Sequence, residues 1–267
     1  MYFCPLYSGS SGNALFCQYG ETRLLVDAGK TGAVLEGAMA RVGVPPETLS
    51  GILITHEHSD HIQAAGVMAR RYHLPIYATP ETWRAMAGKI GKIPGDLIRT
   101  VQSGKSFWLG EIGVEPFSIP HDAADPVGYR LWGGATSVST ATDLGAFTED
   151  VYSAIAGSTL VLLESNHDPD LLRANPRYNQ ALKARILGDH GHLSNEACAG
   201  ALLKLVSGGT KHLILGHLSG ENNTPVLARK VSEEALAREG ICPGEEILLE
   251  VALRDEVGKI YMLKETE

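Results

Sequence analysis

The chain reads as an α/β protein in which buried strands alternate with amphipathic helices. Three observations lead there. Short apolar runs such as Leu24-Leu25-Val26, Ile52-Leu53-Ile54 and Leu160-Val161-Leu162-Leu163 stop abruptly at polar or turn residues, as buried strands do. Stretches with apolar residues at helical spacing lie between such runs. Hydrophobic residues make up 44% and charged residues 20% of the 267 residues, with no low-complexity tract, which fits a folded chain with a sizeable core.

Taken in order, the first strand runs into Asp27-Ala28-Gly29 and the second into Thr55-His56. Between them, residues 31–42 carry Val34, Leu35, Ala38, Met39 and Val42 at helical spacing and are closed by Gly43 and Pro45. A second helix is expected from His61 or Ile62 to Tyr72, then, past Pro75, the strand Ile76-Tyr77-Ala78. A third helix is expected from Pro80 to about Lys89. Further strands are predicted at 106–109, 112–119, 128–131, 137–140, 160–164, 212–215 and 247–253, and helices near 194–206 and 225–239. No residue-level repeat and no Pro/Gly/Ser linker divides the chain, so one domain over residues 1–267 is expected.

No apolar run approaches the roughly 20 residues of a bilayer span, and the N-terminus has no basic region followed by an apolar one. A cytoplasmic protein without membrane partners is the expectation; oligomeric state is not readable. Cys4, Cys17, Cys198 and Cys242 are too scattered for a zinc ribbon or a disulfide scaffold and read as reduced, mostly buried residues. The formal net charge of -8 gives no bulk attraction for nucleic acid, so any such site must be local. Arg70, Arg71, Arg84, Lys89, Lys92 and Arg99 can supply a local basic rim if their helices face the site.

The chemistry is concentrated where the second strand ends. His56-Glu57-His58-Ser59-Asp60-His61 places three histidines and an aspartate within six residues, directly after an apolar strand. Neutral imidazole and carboxylate are preferred ligands of Zn²⁺, Mn²⁺ and Fe²⁺, and loops at strand ends are where sites on α/β scaffolds form. His56 and His58 can address one ion from an extended segment, while Asp60 and His61, at a helix start, can address a second. The competing reading is a solvated loop in which Asp60 caps the next helix.

His56-x-His58-x-Asp60-His61 after an apolar strand resembles the signature of the metallo-β-lactamase superfamily, whose fold is a four-layered αββα sandwich. The likeness continues along the chain. Asp27-Ala28-Gly29 resembles the superfamily's early acidic turn, His121 after Pro120 its third ligand motif, Asp143 in Thr142-Asp143-Leu144-Gly145 its bridging carboxylate, and His217 in Gly216-His217-Leu218 its last histidine. The resemblance implies one ion on His56, His58, His121 and Asp143 and another on Asp60, His61, Asp143 and His217. It implies two divalent ions, Zn or Mn or else Fe, holding a bridging hydroxide as nucleophile, an arrangement suited to phosphodiesters.

A phosphodiesterase also needs a proton donor for its leaving alkoxide. Glu164 ends an apolar run, and Asp189-His190-Gly191-His192 precedes a predicted helix; the arrangement is similar to the nuclease branch typified by tRNase Z. In that light His192 is the general acid and Glu164 its orienting partner, with Asp60 also assigned to catalysis. His190 and His167 are rivals for the acid role, and Ser194 or Asn195 capping a helix beside an exposed His192 is the alternative.

Longer strings resemble the YycJ/WalJ group of 5′-to-3′ DNA exonucleases: Ser8-Gly9-Ser10-Ser11-Gly12-Asn13, His121-Asp122-Ala123-Ala124-Asp125-Pro126, Glu164-Ser165-Asn166-His167-Asp168, Gly191-His192-Leu193-Ser194-Asn195, and His217-Leu218-Ser219-Gly220-Glu221-Asn222-Asn223. DNA is the implied substrate. The Gly-rich turn at residues 8–13 can offer backbone N–H groups to a terminal phosphate, or be a plain tight turn. A cyclic or small-molecule phosphodiesterase of the same fold is the alternative, with a thioesterase and a non-enzymatic metal-binding scaffold further removed.

Overall fold

The computed structural model describes residues 1–264 and divides the chain into two compact units. The first comprises residues 1–118, 123–136 and 253 onward, and the second residues 119–122 and 137–252.

In the first unit, β1 (Tyr2–Tyr7), β2 (Ala14–Tyr19) and β3 (Thr22–Val26) form an antiparallel meander, and Tyr261–Met262 pairs outside β1. From β3 the sheet continues in parallel through β4 (Gly51–Leu53), β5 (Ile76–Ala78) and β6 (Ile98–Thr100). Its helices are α1 (Gly32–Arg41), α2 (Ser59–Ile62), α3 (Ala65–Tyr72) and α4 (Pro80–Met86), the last capped by Thr79 with Pro80 in its first turn. Leu25, Ile52, Ile54 and Ile76 are fully buried, in one apolar cluster with Leu35 and Met39 of α1 and Met68 of α3. Each such side chain contributes about 1.5–3 kcal/mol by leaving water. The antiparallel strands β7 (Phe107–Leu109), β8 (Ile112–Ser118) and β9 (Val127–Gly133) complete the unit.

The second unit is built on four parallel strands, β10 (Thr136–Ala141), β11 (Leu160–Glu164), β12 (His212–Gly216) and β13 (Leu248–Val251), paired in that order. Parallel strands covered on both faces need continuous apolar sequence, which is why Leu160 to Leu163 show no alternation and are wholly buried. The helices are α5 (Glu149–Ile155), α6 (Pro169–Ala174), α7 (Gln180–Leu187), α8 (Asn195–Ser207) and α9 (Pro225–Arg238). All five begin at a side chain that accepts a first-turn N–H: Thr148, Asp168, Asn179, Ser194 and Thr224. Among the described residues no helix is long and apolar enough to cross a membrane.

One departure from the expected elements bears on the site. The predicted helix over residues 61–72 is two helices, α2 and α3. In a continuous helix the carbonyls of Asp60 and His61 would accept from the N–H groups four residues on. Here they accept instead from Asn13 N and Ala28 N, each at 2.8 Å, while Ala64 N donates to Ala28 O. The acidic turn and the turn before β2 therefore interrupt the helix and tie its first turn to their own backbones.

Candidate functional site

In the first unit the candidate residues follow the carboxyl ends of parallel strands, where crevices of α/β sheets form. Asp27 follows β3, and Thr55 and His56 lie just beyond β4. The Asp27 carboxylate accepts from Thr55 N at 2.9 Å and from the Thr55 hydroxyl at 2.9 Å, and stands 2.7 Å from His61 Nδ1. With its Nδ1–H given to Asp27, His61 keeps the lone pair on Nε2, where Asn13 Nδ2 lies 3.0 Å away. Sequence places Asp27 only in an acidic turn; the structure makes it the carboxylate that orients a candidate ligand.

His56 Nε2 and His58 Nδ1 are 3.0 Å apart. Two imidazole nitrogens at that separation can share one ion at bond lengths of about 2.0–2.1 Å. Asp60 does not cap α2: the N-cap is His58, and the Asp60 carboxylate, 25% exposed, lies 3.6 Å from His61 Nε2. The loop is held by close backbone packing. A Cβ on Gly29 would sit 1.6 Å from Asp60 O, so only glycine fits there.

In the second unit Asp143 lies two residues beyond β10, Glu164 ends β11, and His217 follows β12. Asp143, Glu164, His192 and His217 each place a ligand atom within 4.8 Å of the others. His217 Nδ1 is 2.8 Å from Asp143 Oδ2, and His121 Nε2 is 3.9 Å from Asp143 Oδ1. His121 Nδ1 is 3.1 Å from Gly191 O, a hydrogen bond that fixes the ring with Nε2 as its lone-pair nitrogen. Burial pushes the His121 pKa down, favouring the neutral, ligating form. A Cβ on Gly145 would lie 2.4 Å from Asp189 O, so glycine lets the Asp143 turn approach the segment carrying His192.

Glu164 is fully buried and held on both oxygens. Oε2 accepts from Leu144 N at 2.9 Å and Leu193 N at 3.0 Å, and Oε1 lies 2.8 Å from His192 Nδ1. Its partner His192 is 20% exposed. A buried carboxylate anchored by two backbone donors fixes both ring orientation and tautomer. Ser194 caps α8 as well, accepting from Ala197 N, so the cap and the Glu164–His192 pair coexist. His190 is exposed, and its carbonyl accepts from Asp122 N. His167 is buried, neither ring nitrogen has a partner among the described residues, and desolvation pushes its pKa down to about 4.

A set of buried asparagines ties the loops after β11 and β12 to the start of α8. Asn166 Nδ2 donates to His217 O at 2.9 Å, Asn223 Nδ2 to Ser165 O at 2.8 Å, and Asn195 Nδ2 to Asn223 Oδ1 at 3.1 Å. These residues stand inside the strings that carry Glu164, His192 and His217, yet nothing in their spacing announces the network.

Two sequence expectations are narrowed. Of the basic-rim residues, Arg71 and Arg84 pair with Glu36 and Glu81, Arg70 donates to Ile90 O, and Lys89 alone reaches the metal-loop backbone, at Glu57 O, 3.2 Å away. In the turn at residues 8–13, Ser8, Gly9, Gly12 and Asn13 already spend their N–H groups within the protein, so it is not an open anion nest.

These donors fit a divalent ion of borderline softness: imidazoles oriented by a carboxylate or carbonyl, together with carboxylates and no thiolate. Cys4, Cys17 and Cys198 are buried, which pushes their thiols up to about 12.

Residues 22–218 match the family described as Beta-lactamase superfamily domain. The chain is 42% identical over 247 residues to an "Exodeoxyribonuclease YycJ" of Bacillus anthracis, covering 92% of each. It is 40% identical over 235 residues to an "Exodeoxyribonuclease WalJ" of Streptococcus pneumoniae, covering 87% of each. Among solved structures, the metallo-β-lactamase fold protein YhfI of Bacillus subtilis superposes with a TM-score of 0.70 at 16% identity, over 98% of this chain and 99% of that one. The short form of human tRNase Z does so with a TM-score of 0.65 at 16% identity, over 99% and 100%. At such identities the structural likeness speaks for the fold.

Proposed function

The chain belongs to the metallo-β-lactamase superfamily, in the group of the YycJ and WalJ exodeoxyribonucleases, and from that premise we propose a metal-dependent exonuclease that removes nucleotides from the 5′ ends of DNA. The observation that carries this reading beyond the family is the Glu164–His192 pair, a rigidly held proton donor of the kind an alkoxide leaving group requires. The proposed ligands are His56, His58, Asp60 and His61 of the first unit and His121, Asp143 and His217 of the second. Two divalent ions, Zn²⁺ or Mn²⁺, with Fe²⁺ compatible with the same donors, would supply charge for the phosphate and an activated water when bound.

His192 presents Nδ1 to Glu164 Oε1, so its transferable proton sits on Nε2. As water adds to phosphorus and the P–O3′ bond breaks, that proton passes to the departing 3′-oxygen and leaves a neutral imidazole. Glu164 acts as a positioning residue: it holds the ring and stabilises the imidazolium without leaving its two backbone donors. Asp60, part-exposed beside His61, would meet the substrate as well as an ion.

The test is a time course on duplex DNA labelled at either end, with Mn²⁺ or Zn²⁺, beside p-nitrophenyl phosphodiesters and a thioester. We expect nucleotides released from the 5′ end. His192→Ala should slow that release about 10²- to 10⁴-fold. It should spare the p-nitrophenyl ester, whose leaving group needs little protonation. Release from the 3′ end alone, or DNA left intact while small diesters are cut, would replace this reading with another phosphodiesterase; equal loss of His192→Ala on both substrates would move the acid elsewhere.

A further inference from the structure

The first unit holds a cavity of about 420 Å³ lined by Ser10, Ser11, Ser59, Asp60, Gln63 and Lys89, with Gly29 and Ile62 completing its wall. Its volume is that of a small-molecule site, enough for one nucleotide and too little for a strand. Six of its eight lining residues carry a hydrogen-bonding side chain, and one of these, Lys89, is a cation. The Lys89 ammonium spends one of its three donors on Glu57 O, between His56 and His58, which fixes it against the metal loop. Asp60, a proposed metal ligand, forms part of the same wall. On another side the Ser11 hydroxyl is clamped, 2.8 Å from Asp255 Oδ1 and 2.9 Å from Lys30 Nζ, so that wall is fixed.

Resting on the exonuclease reading, we propose that this cavity receives the 5′-terminal nucleotide of the substrate, with its 5′-phosphate on Lys89 and hydrogen bonds from Ser10, Ser59 and Gln63. A phosphate held there would lie beside Asp60, which lines the same cavity, with the scissile phosphate next along the strand. The reaction's own bookkeeping favours the same ligand. Because the P–O3′ bond breaks, the phosphate stays with the shortened strand, and every turnover regenerates a 5′-phosphate. The cavity would then bind the end that each cycle creates, and a 5′-hydroxyl end would be a poor substrate for the first cycle only. The carboxylate of Asp60 opposes a phosphate when bare and ceases to do so when it ligates an ion, which couples use of the cavity to metal loading.

The experiment compares 5′-phosphorylated and 5′-hydroxyl duplexes of one sequence in single-nucleotide time courses with Mn²⁺. The wild type should remove the first nucleotide of the phosphorylated duplex at least about tenfold faster, as expected for one charge-assisted phosphate contact. Later nucleotides should leave at equal rates. Lys89→Ala should abolish the first-nucleotide difference and raise KM for the phosphorylated duplex, Lys89→Arg should retain both, and Gln63→Ala should weaken the preference. In the wild type dAMP should inhibit competitively where deoxyadenosine does not. Digestion from the 5′ end with no first-nucleotide difference, or Lys89→Ala with the wild-type preference intact, overturns the cavity's role while leaving the exonuclease reading standing. Absence of any digestion from the 5′ end overturns both.

Discussion

Three candidate-site residues hold a backbone conformation that side chains avoid. Asp27, Asp143 and His217 have φ of 61°, 59° and 53°. Asp and His tolerate this region better than bulkier residues, but such positions persist only where surroundings over-determine them, and they cluster at functional sites. Each follows a parallel strand closely, so the left-handed turn re-aims the chain as it leaves the sheet. His167 is constrained differently, by burial of a ring that has no hydrogen-bond partner among the described residues. Its pKa of about 4 compares with about 6.5 for an unfolded histidine. Between those values the unfolded chain binds a proton that the native chain refuses, so stability is complete above about pH 7 and falls as pH drops toward 4. The full spread corresponds to about 3 kcal/mol. Urea unfolding of wild type and His167→Gln at pH 7.5 and 4.5 should therefore show the variant losing about 2–3 kcal/mol less over that interval. Equal losses would mean that His167 is not held neutral.

At the scale of elements, β11 and the loop before α8 show how one apolar run can deliver chemistry. Register in a parallel sheet is fixed by its neighbours, here Glu164 opposite Gly216, and this puts Glu164 and His217 at the same end of adjacent strands. The asparagines then lock the loops. Asn223→Ala would strand the Ser165 carbonyl and Asn195 Nδ2 in a buried place, where an unsatisfied group costs about 1–3 kcal/mol. A loss of that size in chemical denaturation is expected; a wild-type midpoint would mean that the loops hold without it. The same contrast explains what sequence reveals. β11 and β12 are legible because complete burial demands unbroken apolar residues, and the metal loop because its histidines are dense. The helices α6 and α7 are not, being short, mostly exposed and started by caps at Asp168 and Asn179 rather than by an apolar stripe. Nor is the break between α2 and α3, because carbonyl partners from residues 13 and 28 leave no mark on the local pattern. Glu164 and His192 were legible only through resemblance, and Asp27's contact with His61 not at all.

For the whole molecule, the difficulty is how a chain of net charge -8 holds a polyanion. Cations are present, but many are spent: Arg71 on Glu36, Arg84 on Glu81, Arg177 on Glu221, Arg185 on Asp122 and Lys204 on Glu149. Exposed pairs of this kind add little stability, yet they leave fewer positive charges for phosphate. Binding must then draw on few contacts, Lys89 among them, together with divalent ions at the proposed ligands. Since the logarithm of affinity falls with the logarithm of salt concentration by about 0.9 per neutralised phosphate, two or three contacts predict a slope no steeper than about -3. Strongly basic DNA-binding proteins reach about -10. Fluorescence anisotropy with a labelled 5′-phosphorylated duplex, using His192→Ala to suppress turnover and a fixed Mn²⁺ concentration, measures that slope between 50 and 300 mM KCl. Lys89→Ala in the same background should flatten it by about one. A slope near -6 or steeper would reveal a broad basic surface engaging the duplex and would reject recognition concentrated at the strand's end.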